Sequence, residues 1–526
     1  MITRFVRERH CRLLGFLFAL WAMPAMVWAN SFPGAQRKWH RYESRHFELF
    51  SQVGERKSRD LLRDIEALRA FMLAKLDLEV RRPTPVTIYF FGSVDDYDSY
   101  LPQSAQASLP KGERSLGQYM VFPDRDVIML SPLDGETTAL WVVQSNLAEH
   151  LLRGHAGHTP PGWLSLGMAL LFGTFNVKKD KVEWGRADNM RQSLVRRFPQ
   201  VSLEHVFHGG SRPFLPGMLP ADYQDLPQAH AWGVLHYWYF GQSEVPASAV
   251  NKFIHRILQP GVAGNRERMR QQVSATFGMD YKEMEARLAR YLKAGRFTAR
   301  TEPFDRLPAR ESFVQRPMTE ADNNRALAEL AYRTREDAIG RFLLLQAGEA
   351  KDTRAFEALG AIGFRLLQDR SAAESWRQAM DLGSTNPAVL RYVALTEWSR
   401  WFSRLDLDFL LPAEAADQLR SRLLRWIEVQ PDQNEPYEAL AWVEASVSAP
   451  KIEHVNLVQG RFSRLDRQAQ VLLAMARVRV RLGDHAAAEQ ILSEIDNFAP
   501  SAGERALAKA LQDSIRKKAE RSTTDP

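Results

Sequence analysis

Glu149, His150, His155 and His158 form the densest group of side chains able to bind a metal or move a proton. Zinc hydrolysis needs two imidazoles at i and i+4, about 40° apart on one helix face. It also needs a third ligand and a carboxylate that takes a proton from the metal-bound water. Glu149 and His150 are adjacent, which sets them about 100° apart on a helix, and His155 and His158 fall where the helical pattern gives way to a loop. No His-Glu-x-x-His occurs in the 526 residues. These histidines therefore read as loop or core-edge residues. His205 and His208, and then His230, His236 and His255 on later helical segments, read as packing histidines. No nucleophile elbow with Ser/His/Asp order and no Gly-rich phosphate loop is present.

The elements that must position these groups are two apolar helices. Leu140, Val143, Leu147 and Leu151 recur at helical spacing up to Gly154, a Gly/Thr/Pro loop follows, and the pattern resumes at Pro161. His150-Leu151-Leu152, Pro161 to Ser165, Gly167 and Ala169 together resemble the active-site helix pair of gluzincin-type (peptidase MA-like) bacterial zinc metallopeptidases, whose pattern runs HExxHH-L-L, loop, W-L-S-E-G-x-A-E. On these anchors the resemblance places the first ligand at Ser145, the general base at Asn146, the second ligand at Glu149 and the third at Leu166, with a further acid at Leu170. A hydroxyl and a leucine cannot hold Zn²⁺, and an amide cannot take a proton from water. The resemblance thus implies the scaffold of a peptidase without its chemistry: no cofactor, no catalysis, and a former polar cavity filled by Leu166 and Leu170. An active zinc metallopeptidase with an atypical ligand set is the alternative.

Upstream, residues 46–53 alternate as a strand, 55–78 form an apolar helix face, and 85–91, 118–122 and 127–130 are β-rich. This order agrees with what the zincin-like resemblance implies, and residues 40–296 are the expected extent of that domain. Residues 297–320 hold three prolines and little periodicity, which predicts a linker open to proteases.

Beyond it the chain becomes helical and repetitive. Phe356, Leu359, Gly360, Ala372, Trp376 and Ala379 fit a roughly 34-residue template, as do Leu472, Met475, Ala476, Gly483, Ala488, Leu492, Ile495 and Pro500. The small residues let paired helices approach and the large ones fill the gap to the next pair. The spacing resembles tetratricopeptide repeats, with an irregular version over 389–447. The expected fold is therefore an α+β zincin-like N-terminal domain followed by an all-α tetratricopeptide-like solenoid over 321–520. Such arrays bind a protein or peptide on a concave face.

Residues 1–29 carry Arg4, Arg7, Arg9 and Arg12, a short apolar core with Pro24, and small residues at Val27 and Ala29. This is the pattern of a cleaved signal peptide, and it predicts a periplasmic protein with no stable membrane anchor after cleavage. Cys11, the single cysteine, precedes the apolar core, so the mature chain would contain no thiol. Net charge is +7, of which the first 29 residues supply +3 (four Arg against one Glu). The remaining +4 is too diffuse for nucleic acid.

Overall fold

The computed structural model describes residues 32–108, 114–132, 135–187, 189–209, 225–241, 245–309, 312–402, 409–465, 467–498 and 501–524. The expected signal peptide, with Cys11 and the cleavage site, and Pro500 of the repeat template lie outside them. The chain divides into two compact units at Ala347/Gly348.

The first unit opens with β1 (His40–Glu43), β2 (Phe47–Ser51), helix α1 (Glu55–Leu76) and β3 (Val86–Phe90). Short helices α2 (Val94–Asp98) and α3 (Gln103–Ser108) lead to β4 (Gly117–Val121) and β5 (Asp126–Leu130). The helix pair α4 (Gly135–Ala156) and α5 (Gly162–Phe172) follows, then β6 (Asn176–Lys178), β7 (Lys181–Trp184), α6 (Asn189–Arg197) and α7 (Leu203–His208). The unit continues through α8 (Leu226–His236), α9 (Ala247–Ile257), α10 (Arg266–Phe277), α11 (Tyr281–Ala294), β8 (Arg300–Pro303), β9 (Val314–Pro317) and α12 (Glu320–Arg335). Helix α13 (Ala338–Glu349) spans the division.

Six strands form one mixed sheet in the order β4-β5-β3-β2-β1-β9. β3 runs parallel to β2 and β5, and β4 is antiparallel to β5. Every residue of β3 and β5 is buried, as expected for central parallel strands covered on both faces. α1 presents Leu61, Leu62, Ile65, Leu68, Phe71 and Met72 to the core, joined by Val143, Leu147 and Leu151 of α4 and Leu164, Met168 and Leu171 of α5. One apolar cluster thus holds the helix pair on the sheet.

The expected linker at 297–320 is not one. β8 pairs with β7, and β9 pairs with β1 from His40↔Pro317 to Glu43↔Val314. Phe304 and Phe313 belong to the unit's core, and Glu302 takes bonds from Lys75 Nζ (2.8 Å) and Trp184 Nε1 (2.9 Å). The prolines that forbid a helix here are tolerated at the ends of edge strands, where Pro303 and Pro317 sit. Helix α12, expected within the repeats, also belongs to the first unit. Its Arg333 is fully buried and donates to both oxygens of Asp124 (2.9 and 2.7 Å) and to Glu329 (2.8 Å), while Asn323 Nδ2 donates to the Ala35 carbonyl (2.8 Å).

The second unit is helical among its described residues: α14 (Thr353–Arg365), α15 (Asp369–Asp381), α16 (Pro387–Trp401), α17 (Ala413–Val429), α18 (Glu435–Ala445), α19 (Ile452–Arg461), α20 (Gln468–Arg481), α21 (His485–Ser493) and α22 (Ala502–Thr524). Each packs on sequence neighbours around a core that includes Trp376, Trp426, Leu440 and Leu473. The close approach of α14 and α15 depends on Gly360, because a Cβ there would lie 2.3 Å from the Trp376 ring. The architecture is an α+β unit followed by a helical one. No helix among the described residues is long and apolar enough to cross a membrane.

Candidate functional site

The four positions that the resemblance assigns to ligands and base, Ser145, Asn146, Glu149 and Leu166, sit on α4 and α5. Ser145 is buried with its Oγ unpartnered, beside Gly173 at the end of α5, whose Cβ would lie 2.7 Å from that oxygen. The Asn146 amide folds back on its own helix, donating to the Val142 carbonyl (2.7 Å). Glu149 is half-buried, and its pKa is raised, first by burial and then by the nearby Asp126 carboxylate, with Arg153 opposing. Leu170 is buried (7% exposed), whereas Leu166, expected with it to fill a former cavity, is only half-buried.

The polar centre of this region is instead Asp126, at the start of β5. Its Oδ2 accepts from Tyr119 OH on β4 (2.7 Å), from His150 Nδ1 (2.6 Å) and from the Arg153 guanidinium, both on α4. Burial pushes the Asp126 carboxyl up most strongly, but the His150 hydrogen bond and charge, Arg153 and Tyr119 together hold it below the usual carboxylate range. Tyr119 is pushed up by burial and then by Asp126. The arrangement rivets α4 to the β4–β5 hairpin. His150 spends its Nδ1–H on this rivet, so the imidazole next to Glu149 is oriented by the sheet.

Sequence reading missed Asp126, Tyr119 and Arg153, which come together only when the β4–β5 hairpin meets α4. The available signal was a carboxylate opening an otherwise apolar strand, because a buried charge requires a partner. Arg153, one turn after His150 on the same helix, was the place to look for it.

The remaining histidines are dispersed. His155 lies in the last turn of α4 rather than in the loop, its Nδ1 against the Glu79 backbone (3.0 Å to the carbonyl) and its ring 4.9 Å from that of His255. His255 Nε2 donates to the Leu76 carbonyl (2.9 Å) and His158 Nε2 to that of Leu258 (2.8 Å). His230 Nε2 donates to the Phe198 carbonyl (2.9 Å), and His205 is exposed on α7. Among the described residues no three His, Cys, Asp or Glu side chains gather as a metal ion would require.

His236 is wholly buried at the end of α8. The Tyr291 hydroxyl donates to its Nδ1 (2.7 Å) and its Nε2–H to the Gly185 carbonyl (3.0 Å). Burial, opposed by the Gly185 bond and reinforced by Arg300, lowers its pKa to about 4. A histidine depressed in the folded state leaves its stabilisation intact above the unfolded value of about 6.5, and acidification toward pH 4 removes it. The loss is roughly 3 kcal/mol from this residue, and His155, His208 and His230 shift in the same direction. Denaturant unfolding at pH 7 and pH 4.5 should therefore show a marked drop that His236→Gln reduces. An equal drop in the variant would remove His236 from the account.

Comparison of the chain with protein-family models, with curated proteins and with solved structures finds no match in any of the three.

Proposed function

We propose that this chain is a non-catalytic, exported protein-binding or scaffold protein, built on a gluzincin-like domain that has lost its zinc chemistry and on tetratricopeptide-like repeats that hold a protein or peptide partner. One observation carries the reading. Where a peptidase helix needs two imidazoles and a free carboxylate aimed at one ion, Asn146 is tied to its own helix and His150 to Asp126. Two further features support it. The succession β2, α1, β3, β4 and β5 ahead of the helix pair is compatible with what the resemblance implies, with β1 and the short helices α2 and α3 added to it. Gly360 and Trp376 pack α14 on α15 as the repeat template requires. Neither nucleic acid nor a cofactor enters this function.

The reading is tested on the mature chain. It should carry well under one zinc per molecule and cleave no peptide above background, with or without added metal. The same protein, immobilised, should retain a defined partner from periplasmic extract, and the retention should follow the helical unit expressed from Gly348 onward. About one tightly held zinc per chain, lost on Glu149→Ala or His150→Ala, would overturn it in favour of an active enzyme. Export is checked separately: the mature N-terminus should fall at or near Asn30, and recovery of Met1 on a membrane-bound product would contradict the periplasmic assignment.

A further inference from the structure

The turn joining α4 to α5, helix α7 and the turn joining α9 to α10 line a solvent-open cavity of about 540 Å³ within the first unit. None of Ser145, Asn146, Glu149 or Leu166 lines it, so it is separate from the degenerate positions. Its volume falls in the range of small-molecule sites, roughly 300–1,000 Å³.

The walls combine two chemistries. Pro161, Trp163, Phe207 and Ile257 supply apolar surface, with the Trp163 and Phe207 rings 4.7 Å apart. Arg266 is the one fully charged side chain of the lining, which contains no Asp or Glu. Two helices also begin at the cavity. α5 starts after Pro161, which offers no side-chain cap, so the first-turn N–H groups at Gly162 and Trp163 have no intrahelical acceptor. α10 starts at Arg266, beside Gly264. The α10 end is capped by Asn265, whose Oδ1 accepts from the Arg268 N–H (3.0 Å), and carries Glu267 in its first turn, so the uncapped α5 end is the one that adds positive potential to the Arg266 charge. Glu204, outside the lining, pairs with Arg266 (3.2 Å) and with Arg270 (3.1 Å), so one carboxylate is shared between two guanidinium groups and the balance stays positive.

Independent of the helix ends, two buried ring nitrogens on lining residues have no hydrogen-bond partner in the protein: Nε1 of Trp163, a residue only 6% exposed, and Nε2 of His208. An unmade buried hydrogen bond costs about 1–3 kcal/mol, and Trp163 Nε1, which can only donate, lacks an acceptor beside this cavity. We propose that this cavity binds a carboxylate carried on an apolar or aromatic group. The α5 N-terminus and Arg266 receive the carboxylate, and the Pro161–Trp163–Phe207 wall receives the apolar body. Two sources share this chemistry, a free aromatic acid and the C-terminal residue of a polypeptide.

Calorimetric titration of the full mature chain separates them. N-acetyl-phenylalanine should bind, and its amide should bind at least about tenfold more weakly, since a charge-assisted hydrogen bond is lost. Arg266→Ala should weaken the acid about tenfold, with little structural cost because 69% of that side chain is exposed. Gly264→Phe should abolish binding, since a Cβ at Gly264 meets no atom within 4 Å and the ring has open space to occupy. Unchanged melting temperatures verify that both variants fold. A hexapeptide ending in phenylalanine with a free carboxylate, if it binds more tightly than the blocked amino acid, identifies a polypeptide C-terminus as the ligand; equal affinity identifies a free acid. No detectable binding of the acid at millimolar concentration, equal affinity for acid and amide, or unaltered binding in both variants would overturn the proposal. Because the readout involves neither zinc nor the helical unit, its failure is distinguishable from failure of the proposed function.

Discussion

A fragment ending at Arg296 should fail to fold, whereas one extended to Glu349 should fold cooperatively. Sequence periodicity alone would put the end of the first domain near residue 296, ahead of a proline-rich stretch. The structure places essential parts after that point. Without β9, β1 loses its second neighbour along four residue pairs, and without β8, β7 loses the strand that flanks Trp184. Phe304 and Phe313 leave the core, each worth about 3–5 kcal/mol on the scale of large aromatic truncations. Loss of Arg333 strips Asp124, itself fully buried, of its bidentate partner. Breaking a buried pair from one side costs about 3–5 kcal/mol more. Together these terms match or exceed the roughly 5–15 kcal/mol that stabilises a typical domain. Both fragments, begun at Asn30, should be compared by circular dichroism melting and amide dispersion. A sharp melt and a dispersed spectrum for the shorter one would show that the added strands are ornaments on a complete domain.

That miss has a physical cause, and so do the successes. β2, α1, β3, β4 and β5 lie within a residue or two of where alternation and helical spacing put them, because α1 buries a regular apolar face, β3 and β5 are β-rich runs buried at every residue, and β4 is a short β-rich run although none of its residues is buried. The helix pair was equally legible from Leu147, Leu151, Trp163 and Leu164, all buried. β1 was not, since His40, Arg41 and Glu43 give a four-residue strand without an apolar pattern. β8 and β9 are short edge strands whose prolines mimic a linker, and only pairing with β7 and β1 reveals them. The local cluster of Glu149, His150, His155 and His158 was visible, but helix geometry disperses it: three of the four imidazole or carboxylate groups face different elements. Asp126 and Arg333 illustrate the opposite case. A buried charge can be suspected from one position, but its partner lies 24 or 209 residues away and belongs to the tertiary fold.

Asp126→Asn should destabilise the first unit far more than Glu149→Gln. The substitution removes a negative charge from a site where His150, Tyr119 and Arg153 all converge on one oxygen. It leaves the Arg153 guanidinium only partly exposed with no carboxylate in contact. Removing one partner from such a network costs about 3–5 kcal/mol, which denaturant unfolding of the fragment ending at Glu349 would measure. Glu149→Gln makes the matching control. Its carboxyl is raised by burial and by Asp126, so the folded state disfavours its charge, and neutralising it at pH 7 should be neutral or slightly stabilising. The two changes also separate in pH dependence. The depressed Asp126 contributes stability above its unfolded value of about 3.9 and loses it as pH falls through the lower folded value. The Asn variant should lack that acid step, while the Gln variant should retain it. If Glu149→Gln proved the more damaging of the two, Glu149 would have to serve as a charged ligand in the folded protein.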